Sequence, residues 1–291
     1  MSVARSEQAV PSAGERSRQR RGIARRAAQA VVGLLFVIPV WWIVVNSTRS
    51  STEIFSYLSP LSIQALIPTD LDLENYAVAL RAGFGQALGN SIVVAGVTVV
   101  IGLFVCTTAA FALSVIPFRG QNLIFVVVLI SFLIPFDAIA IPLASIFRDW
   151  SLINTYTGLI LPGLGNGMAI LLIRAFFLTI PGELSEAARI DGLGWPGIFW
   201  RIYLPNSKPV LIGAGLSLFL FQWQAYVWPL LVGTDNSHVL APISLANMIT
   251  ANGVNYGALF AGATMFIAIP MVMILLLQRY FVQSVSASGI K

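Results

Sequence analysis

Apolar residues run through this chain in long blocks, not in the short alternations of strands or the single stripes of soluble helices. The first block covers about 27–46 and is long enough to cross the hydrocarbon core of a bilayer. Others follow at about Ser91–Ile116, Leu123–Ala144, Gly158–Ile180, Pro209–Val232 and Ala258–Val282, each with few charges. Pro135, Pro142, Pro162, Pro229 and Pro270 sit within or beside them. Proline is tolerated in membrane helices because neighbouring groups re-satisfy the freed backbone. The pattern predicts an all-α membrane protein with six transmembrane helices. It divides the chain into a basic segment at 1–26, a first transmembrane helix at 27–46, a loop at 47–90, a five-helix core at 91–282 and a tail at 283–291. A cleaved signal peptide is the alternative for the first block, but such cores are shorter and no clear A-x-A site follows Val45.

Composition supports lipid as the solvent: 57% of residues are hydrophobic, 10% are charged, and mean hydropathy is +0.83, where a soluble domain carries about 25% charged residues. The net charge of +5 is concentrated at the start, in Arg5, Arg16, Arg18, Arg20, Arg21, Arg25 and Arg26. A basic run directly before an apolar block reads as a flank facing anionic membrane lipid, not as a nucleic-acid arm. Six spans put both termini on one side. With that side cytoplasmic, the same side also holds Arg119, Arg174, Arg189, Arg201, Lys208, Arg279 and Lys291, leaving only Arg49, Arg81 and Arg148 outside. The positive-inside rule therefore places both termini and the 181–208 loop in the cytoplasm of a multi-pass cell-membrane protein. The 47–90 loop, with Asp70, Asp72 and Glu74, falls outside.

Candidate chemistry is sparse. Cys106, the only cysteine, lies in an apolar block, and His238, the only histidine, in a polar loop. Neither belongs to a metal-ligand cluster or a nucleophilic triad, and no GxxxxGK[ST] phosphate loop is present. A membrane enzyme is disfavoured, and if ATP powers this protein another chain binds it. Gly96, Gly102, Ala109, Ala110, Ala112, Gly213 and Gly215 read as close-packing positions between helices.

The 181–208 loop carries more information. Glu183 and Glu186 suit the positive end of a short helix, and Ala187 and Ala188 favour helix. Gly192 and Gly194 end it, and Pro196 suits the first turn of a second helix. Ile198, Phe199, Trp200, Ile202, Tyr203 and Leu204 make that second helix unusually apolar. Such a helix–turn–helix needs a partner groove or lies on the headgroups as an interfacial segment.

Glu186-Ala187-Ala188, three residues, Gly192, nine residues, Ile202, one residue, then Leu204-Pro205 resembles the EAA motif of bacterial ABC-importer permeases. The stretches 134–143, 152–158 and 278–282 resemble the carbohydrate-type permeases, in the group of the second maltose permease and the glycerol-3-phosphate permease. Where that group often has Trp-Asn-Asp, this chain has Trp223-Gln224-Ala225. The resemblance implies a type I importer permease fold, with Glu186, Ala187, Ala188, Gly192, Ile202, Leu204 and Pro205 in a coupling helix seated on an ATPase. It implies a second homologous permease, an ATPase dimer and an extracytoplasmic solute-binding protein as partners. It also implies ATP and magnesium on the ATPase, no cofactor and no catalysis on this chain, and a sugar, oligosaccharide or polyol phosphate as solute.

Asp137 is the only carboxylate inside an expected span. It reads as an acceptor for solute hydroxyls, as a partner for a cation on the second permease, or as a group reaching the outer interface. Gln222, Trp223, Gln224, Tyr226 and Trp228 combine aromatic faces with amides, which suits sugar rings; an interfacial aromatic belt is the other reading. No span has a basic residue at its middle, which leans toward a neutral sugar. The rival function, a stand-alone ion-coupled carrier, has Asp137 alone as a coupling group and no use for the loop motif.

Overall fold

The computed structural model describes residues 13–58, 60, 62–68, 72–250 and 253–288, with the backbone alone at 13–21, 23, 250 and 279–288. Arg5, Asp70 and the last three residues, Gly289, Ile290 and Lys291, lie outside the described residues.

Helix α1 (Ala13–Asn46) is continuous over 34 residues, and its stretch Ala24–Asn46 is apolar enough to span a membrane. A cap follows, made of α2 (Ser51–Ser56), a 3-10 turn at Ile63–Leu66 and α3 (Glu74–Arg81). The core then runs α4 (Phe84–Ala112), α5 (Gln121–Leu133), α6 (Phe136–Asp149) and α7 (Tyr156–Ile160), which continues as a 3-10 turn at Leu161–Leu164 into α8 (Gly167–Phe177). The 181–208 loop forms α9 (Glu183–Ile190), α10 (Trp195–Ile198), a π-helical segment at Phe199–Tyr203 and α11 (Leu204–Asn206). The chain ends in α12 (Lys208–Trp223), α13 (Val227–Val232), α14 (Ala241–Asn247), a minimal antiparallel pair β1 (Ile249–Thr250) and β2 (Gly253–Val254), and α15 (Tyr256–Ser288).

Among the described residues three helices are long and apolar enough to cross a membrane singly: Ala24–Asn46, Phe84–Ala112 and Tyr256–Gln278. The expected spans at 123–144 and 158–180 are each a bent pair of helices. Gln121–Leu133 and Phe136–Asp149 meet at 95°, and Tyr156–Leu164 and Gly167–Phe177 at 40°. Pro135 accounts for the first break, because proline drives the preceding residue out of the helical region, and Ile134 is extended (φ −73, ψ 121). At the second break Asn166 starts α8 anew, its Oδ1 accepting from the Ala169 amide at 2.9 Å. The expected helix at 209–232 stops at Trp223 and resumes at Val227. Pro142 and Pro270 leave their helices unbroken.

Helix α12 is the hub, packed on α4, α8 and α15. A β-carbon at Gly215 would touch Leu103 and Val99, and one at Gly102 would lie 3.4 Å from the Leu164 backbone, so these small residues do bring helices close. Gly96 does not: it is exposed, with open space in front of it. Outward faces stay apolar, as with Val100, Phe104 and Leu123, which suits a lipid surround and not water.

At the cap, Asn75 donates to the carbonyls of Ser47 (3.0 Å) and Arg49 (2.8 Å). The buried Arg49 guanidinium donates to the carbonyls of Gln64 and Ile67. Ser50 caps α2, and its amide and hydroxyl hold the Glu53 carboxyl below its usual range. At the opposite end Arg174 ties three helices together: its Nε donates to the Leu113 carbonyl at 2.9 Å and its guanidinium lies 3.8 Å above the Phe125 ring. Arg174→Met keeps the stem and removes both contacts. A loss of about 1–2 kcal/mol is expected, read as a lower thermal midpoint of the purified protein, with Lys recovering only part.

Candidate functional site

Two features stand out, and one helix joins them. The first is the 181–208 loop. Glu183 and Glu186 occupy the first turn of α9, where carboxylates answer the helix dipole. The helix ends in a paired C-cap: the Leu193 amide donates to the Ala188 carbonyl (2.9 Å) and the Gly192 amide to Arg189 (3.1 Å). Gly192 has φ +85, the left-handed conformation this motif requires at that position. The chain then reverses into α10, and Arg189 covers the Trp195 ring at 5.1 Å.

The apolar side of the loop is largely buried within the chain itself. Ile198, Phe199 and Tyr203 are nearly inaccessible, and Ile202 and Leu204 pack beside them. Phe111 of α4 meets Phe177, Phe199 and Tyr203 edge to face at centroid distances of 6.3, 5.2 and 5.2 Å. The Ser185 and Tyr203 hydroxyls are hydrogen-bonded at 3.0 Å, locking α9 to the π-helical segment. The need for an external groove expected from the sequence is thus met mostly from inside. What remains outward is narrower: Glu186, Ala187, Gly192 and Pro205 are exposed, flanked by Leu184 (46% exposed) and Ile190 (88%), and of the second helix's large apolar residues Trp200 (56%) stays outward. Ala188 faces in.

The second feature is a cavity of about 490 Å³ where broken helices meet. Its wall takes Pro135, Phe136 and Asp137 from the start of α6, Pro162 and Gly163 from the 3-10 turn, and Phe221–Gln222 and Gln224–Trp228 from the α12–α13 junction. Asp137, Gln222, Gln224, Tyr226 and Trp228, named from the sequence, come together here. Trp223 does not: it is 2% exposed and stacked between Phe219 (5.2 Å) and Phe266 (5.1 Å), turned into the bundle. Its Nε1 has no hydrogen-bond partner, nor has the buried Thr98 hydroxyl. Trp228 is both wall and strut, its Nε1 donating to the Gly158 carbonyl at 3.0 Å and its ring edge-on to Phe147 at 5.0 Å. Gly163 lets Gln222 lie close, since a β-carbon there would sit 2.7 Å from Gln222 Oε1.

Between the two features runs α12, 16 residues from Lys208 to Trp223 and about 24 Å long. It leaves α11 at a bend of 84° and ends in the cavity wall at Gln222.

A larger hollow of about 670 Å³ at the cap end is lined by Arg81, Gln86, Asn236, Asn247 and Asn255 among others. The sequence reading missed it, because its residues come from two segments more than a hundred positions apart. The cluster of Asn residues at 236–255 is the one local hint. His238 sits nearby in a hydrogen-bonded pair with Asp235 at 2.8 Å, over a loop fixed by Asn154 and Asn90. Among the described residues no three His, Cys, Asp or Glu side chains form a metal-holding group.

Residues 99–287 match the family described as binding-protein-dependent transport system inner membrane component. The chain is 34% identical to the arabinooligosaccharides transport system permease protein AraQ of Halalkalibacterium halodurans, over 90% of this chain and 94% of the relative. It is 31% identical to the sn-glycerol-3-phosphate transport system permease protein UgpE of Yersinia pestis, over 87% and 92%. Among solved structures, a bacterial ABC transporter involved in the import of the acidic polysaccharide alginate has a chain of the same fold. Its TM-score is 0.76 at 23% identity, covering 94% of this chain and all of the other.

Proposed function

The chain belongs to the family of binding-protein-dependent transport system inner membrane components, and on that premise we propose that it couples a solute cavity within the membrane to an ATPase beneath it. It is a multi-pass inner-membrane permease subunit of an ABC importer, a transport component and not a catalytic one. A stand-alone ion-coupled carrier is not favoured.

In this reading the three long helices, the bent pairs at 121–149 and 156–177, and α12 with α13 make six spans, with both termini and the 181–208 loop in the cytoplasm. The distribution of basic residues supports that orientation. The exposed strip of Glu186, Ala187, Gly192 and Pro205, with Leu184 and Ile190, docks on one subunit of an ATPase dimer that binds ATP and magnesium. Ala188, Ile202 and Leu204 hold the loop to the bundle. A second homologous permease completes the pathway, and an extracytoplasmic binding protein delivers the solute. The solute is a sugar, an oligosaccharide or a related polyol: Tyr226, Phe136 and Trp228 offer apolar faces, and Gln222, Gln224 and Asp137 offer hydrogen-bond groups around them.

The single observation that carries the proposal is the continuity of α12. A displacement of the loop would reach Gln222 through one unbroken helix packed on α4, α8 and α15. Packed elements of this kind shift as bodies instead of deforming. Purification of the tagged chain from its native host in mild detergent is expected to recover a soluble ATPase and a second permease, identified by mass spectrometry. Recovery of the chain alone across several mild detergents contradicts the assembly.

A further inference from the structure

Relatives of this chain have names that differ in the charge of the solute: arabinooligosaccharides on one side, sn-glycerol-3-phosphate on the other. We propose that the cavity selects against anionic solutes, and that Asp137 is the residue that sets this preference. The inference rests on the reading of the cavity as part of the solute pathway.

Among the described residues Asp137 is the only charged one in the cavity wall, and no described Lys or Arg lines it. The described arginines on the adjoining helices are placed elsewhere. Arg148 lies eleven residues further along α6, about 16 Å away by helical rise. Arg174 is spent on the Leu113 carbonyl and the Phe125 ring. One element of the wall would attract an anion, the N-terminus of α6, but Asp137 stands in its first turn and answers that positive end with its own carboxylate. The rest of the described wall is amide, aromatic and aliphatic, so little else offsets the charge. Two unit charges about 8 Å apart, at an effective dielectric of about 20, alter local concentration more than tenfold. A phosphate or uronate entering here meets repulsion, whereas a neutral hydroxylated solute meets an acceptor.

The test reads the charge of the cavity without needing the solute. Ala225, in the same wall, is changed to Cys in a Cys106→Ala chain, within the complete importer in proteoliposomes. Its reaction rates with cationic, neutral and anionic methanethiosulfonates are normalised to those of a free thiol in solution. The cationic reagent is expected to outpace the anionic one about tenfold or more, and Asp137→Asn, nearly isosteric, to bring the ratio near one. Asp137→Lys is expected to invert it. A ratio near one with Asp137 present, or one unmoved by Asp137→Asn, overturns the inference and leaves the pathway reading standing. A transport-competent importer in which none of the three reagents reaches the cysteine overturns the pathway reading, and the inference with it.

Discussion

An importer carrying Glu186→Lys and Gly192→Val in this chain is expected to lose transport-coupled ATP hydrolysis by at least an order of magnitude, while the chain still inserts and folds. The two changes act on one short helix. Lysine in the first turn of α9 sets a positive charge against the positive end of the helix dipole, a swing of about 0.3–1 kcal/mol each way, and removes a carboxylate from the exposed strip. Valine at φ +85 pays about 1–2 kcal/mol for a left-handed backbone. It thereby opposes the paired C-cap between Leu193 and Ala188 and between Gly192 and Arg189. A loss of about 2–3 kcal/mol shifts the equilibrium away from the docking-competent loop by roughly 30- to 150-fold. The bundle does not depend on either residue, since both are exposed and the buried anchors of the loop, Ile198, Phe199 and Tyr203, are untouched. Transport-stimulated hydrolysis at wild-type level in the double variant would show that the strip is not the coupling surface.

Gly158→Ala is expected to be among the most damaging single methyl groups in the chain. A β-carbon there would overlap the Leu152 carbonyl oxygen, with the Val232 Cγ1 atom at 3.1 Å. Backbone cannot swing aside as a side chain does, so the α7 start, the preceding loop and α13 must part. Overpacking of this kind costs about 1–3 kcal/mol and more where backbone is involved. The same shift pulls the Gly158 carbonyl from Trp228 Nε1, which props the cavity wall. A lower thermal midpoint in detergent, a changed tryptophan emission and little assembled importer are expected. Gly165→Ala is the control: nothing lies within 4 Å of a β-carbon there, and a near-wild-type midpoint is expected. Equal stability of the two variants would contradict the packing described at Gly158.

Much of this architecture is legible in the sequence, for identifiable reasons. Apolar blocks bounded by polar loops signal spanning helices wherever the blocks are long, and the helix pair in the loop follows from Glu183, Gly192 and Pro196, residues whose local preferences agree. The breaks are less legible. Pro135 coincides with a 95° turn, whereas Pro142 and Pro270 leave helices whole. Tertiary packing accompanies the difference: Phe132 sits against Gly167, whose β-carbon would clash with it at 2.6 Å.

Side-chain direction is hidden for a related reason. Gln222 and Trp223 are neighbours in sequence but about 100° apart around the helix. A cluster at 222–228 therefore divides between cavity and core, and α12 is apolar on nearly every side, leaving no stripe to say which residue faces which. The loop misled in another way. Ile198, Phe199 and Tyr203 suggested a sticky surface, but their partners Phe111 and Phe177 come from helices whose ends the sequence does not bring together.

Site-directed crosslinking between the loop and the ATPase tests the central claim most directly. Ala187→Cys and Ile190→Cys, both exposed on α9, are placed in a Cys106→Ala chain within the membrane of the native host. A short bifunctional thiol reagent is then applied with and without ATP. Crosslinks from both positions to the ATPase chain, varying in yield with nucleotide, are the expected result. Absence of any crosslink to an ATPase from either position, with both cysteines reactive toward a small thiol reagent, would contradict the coupling role of the loop.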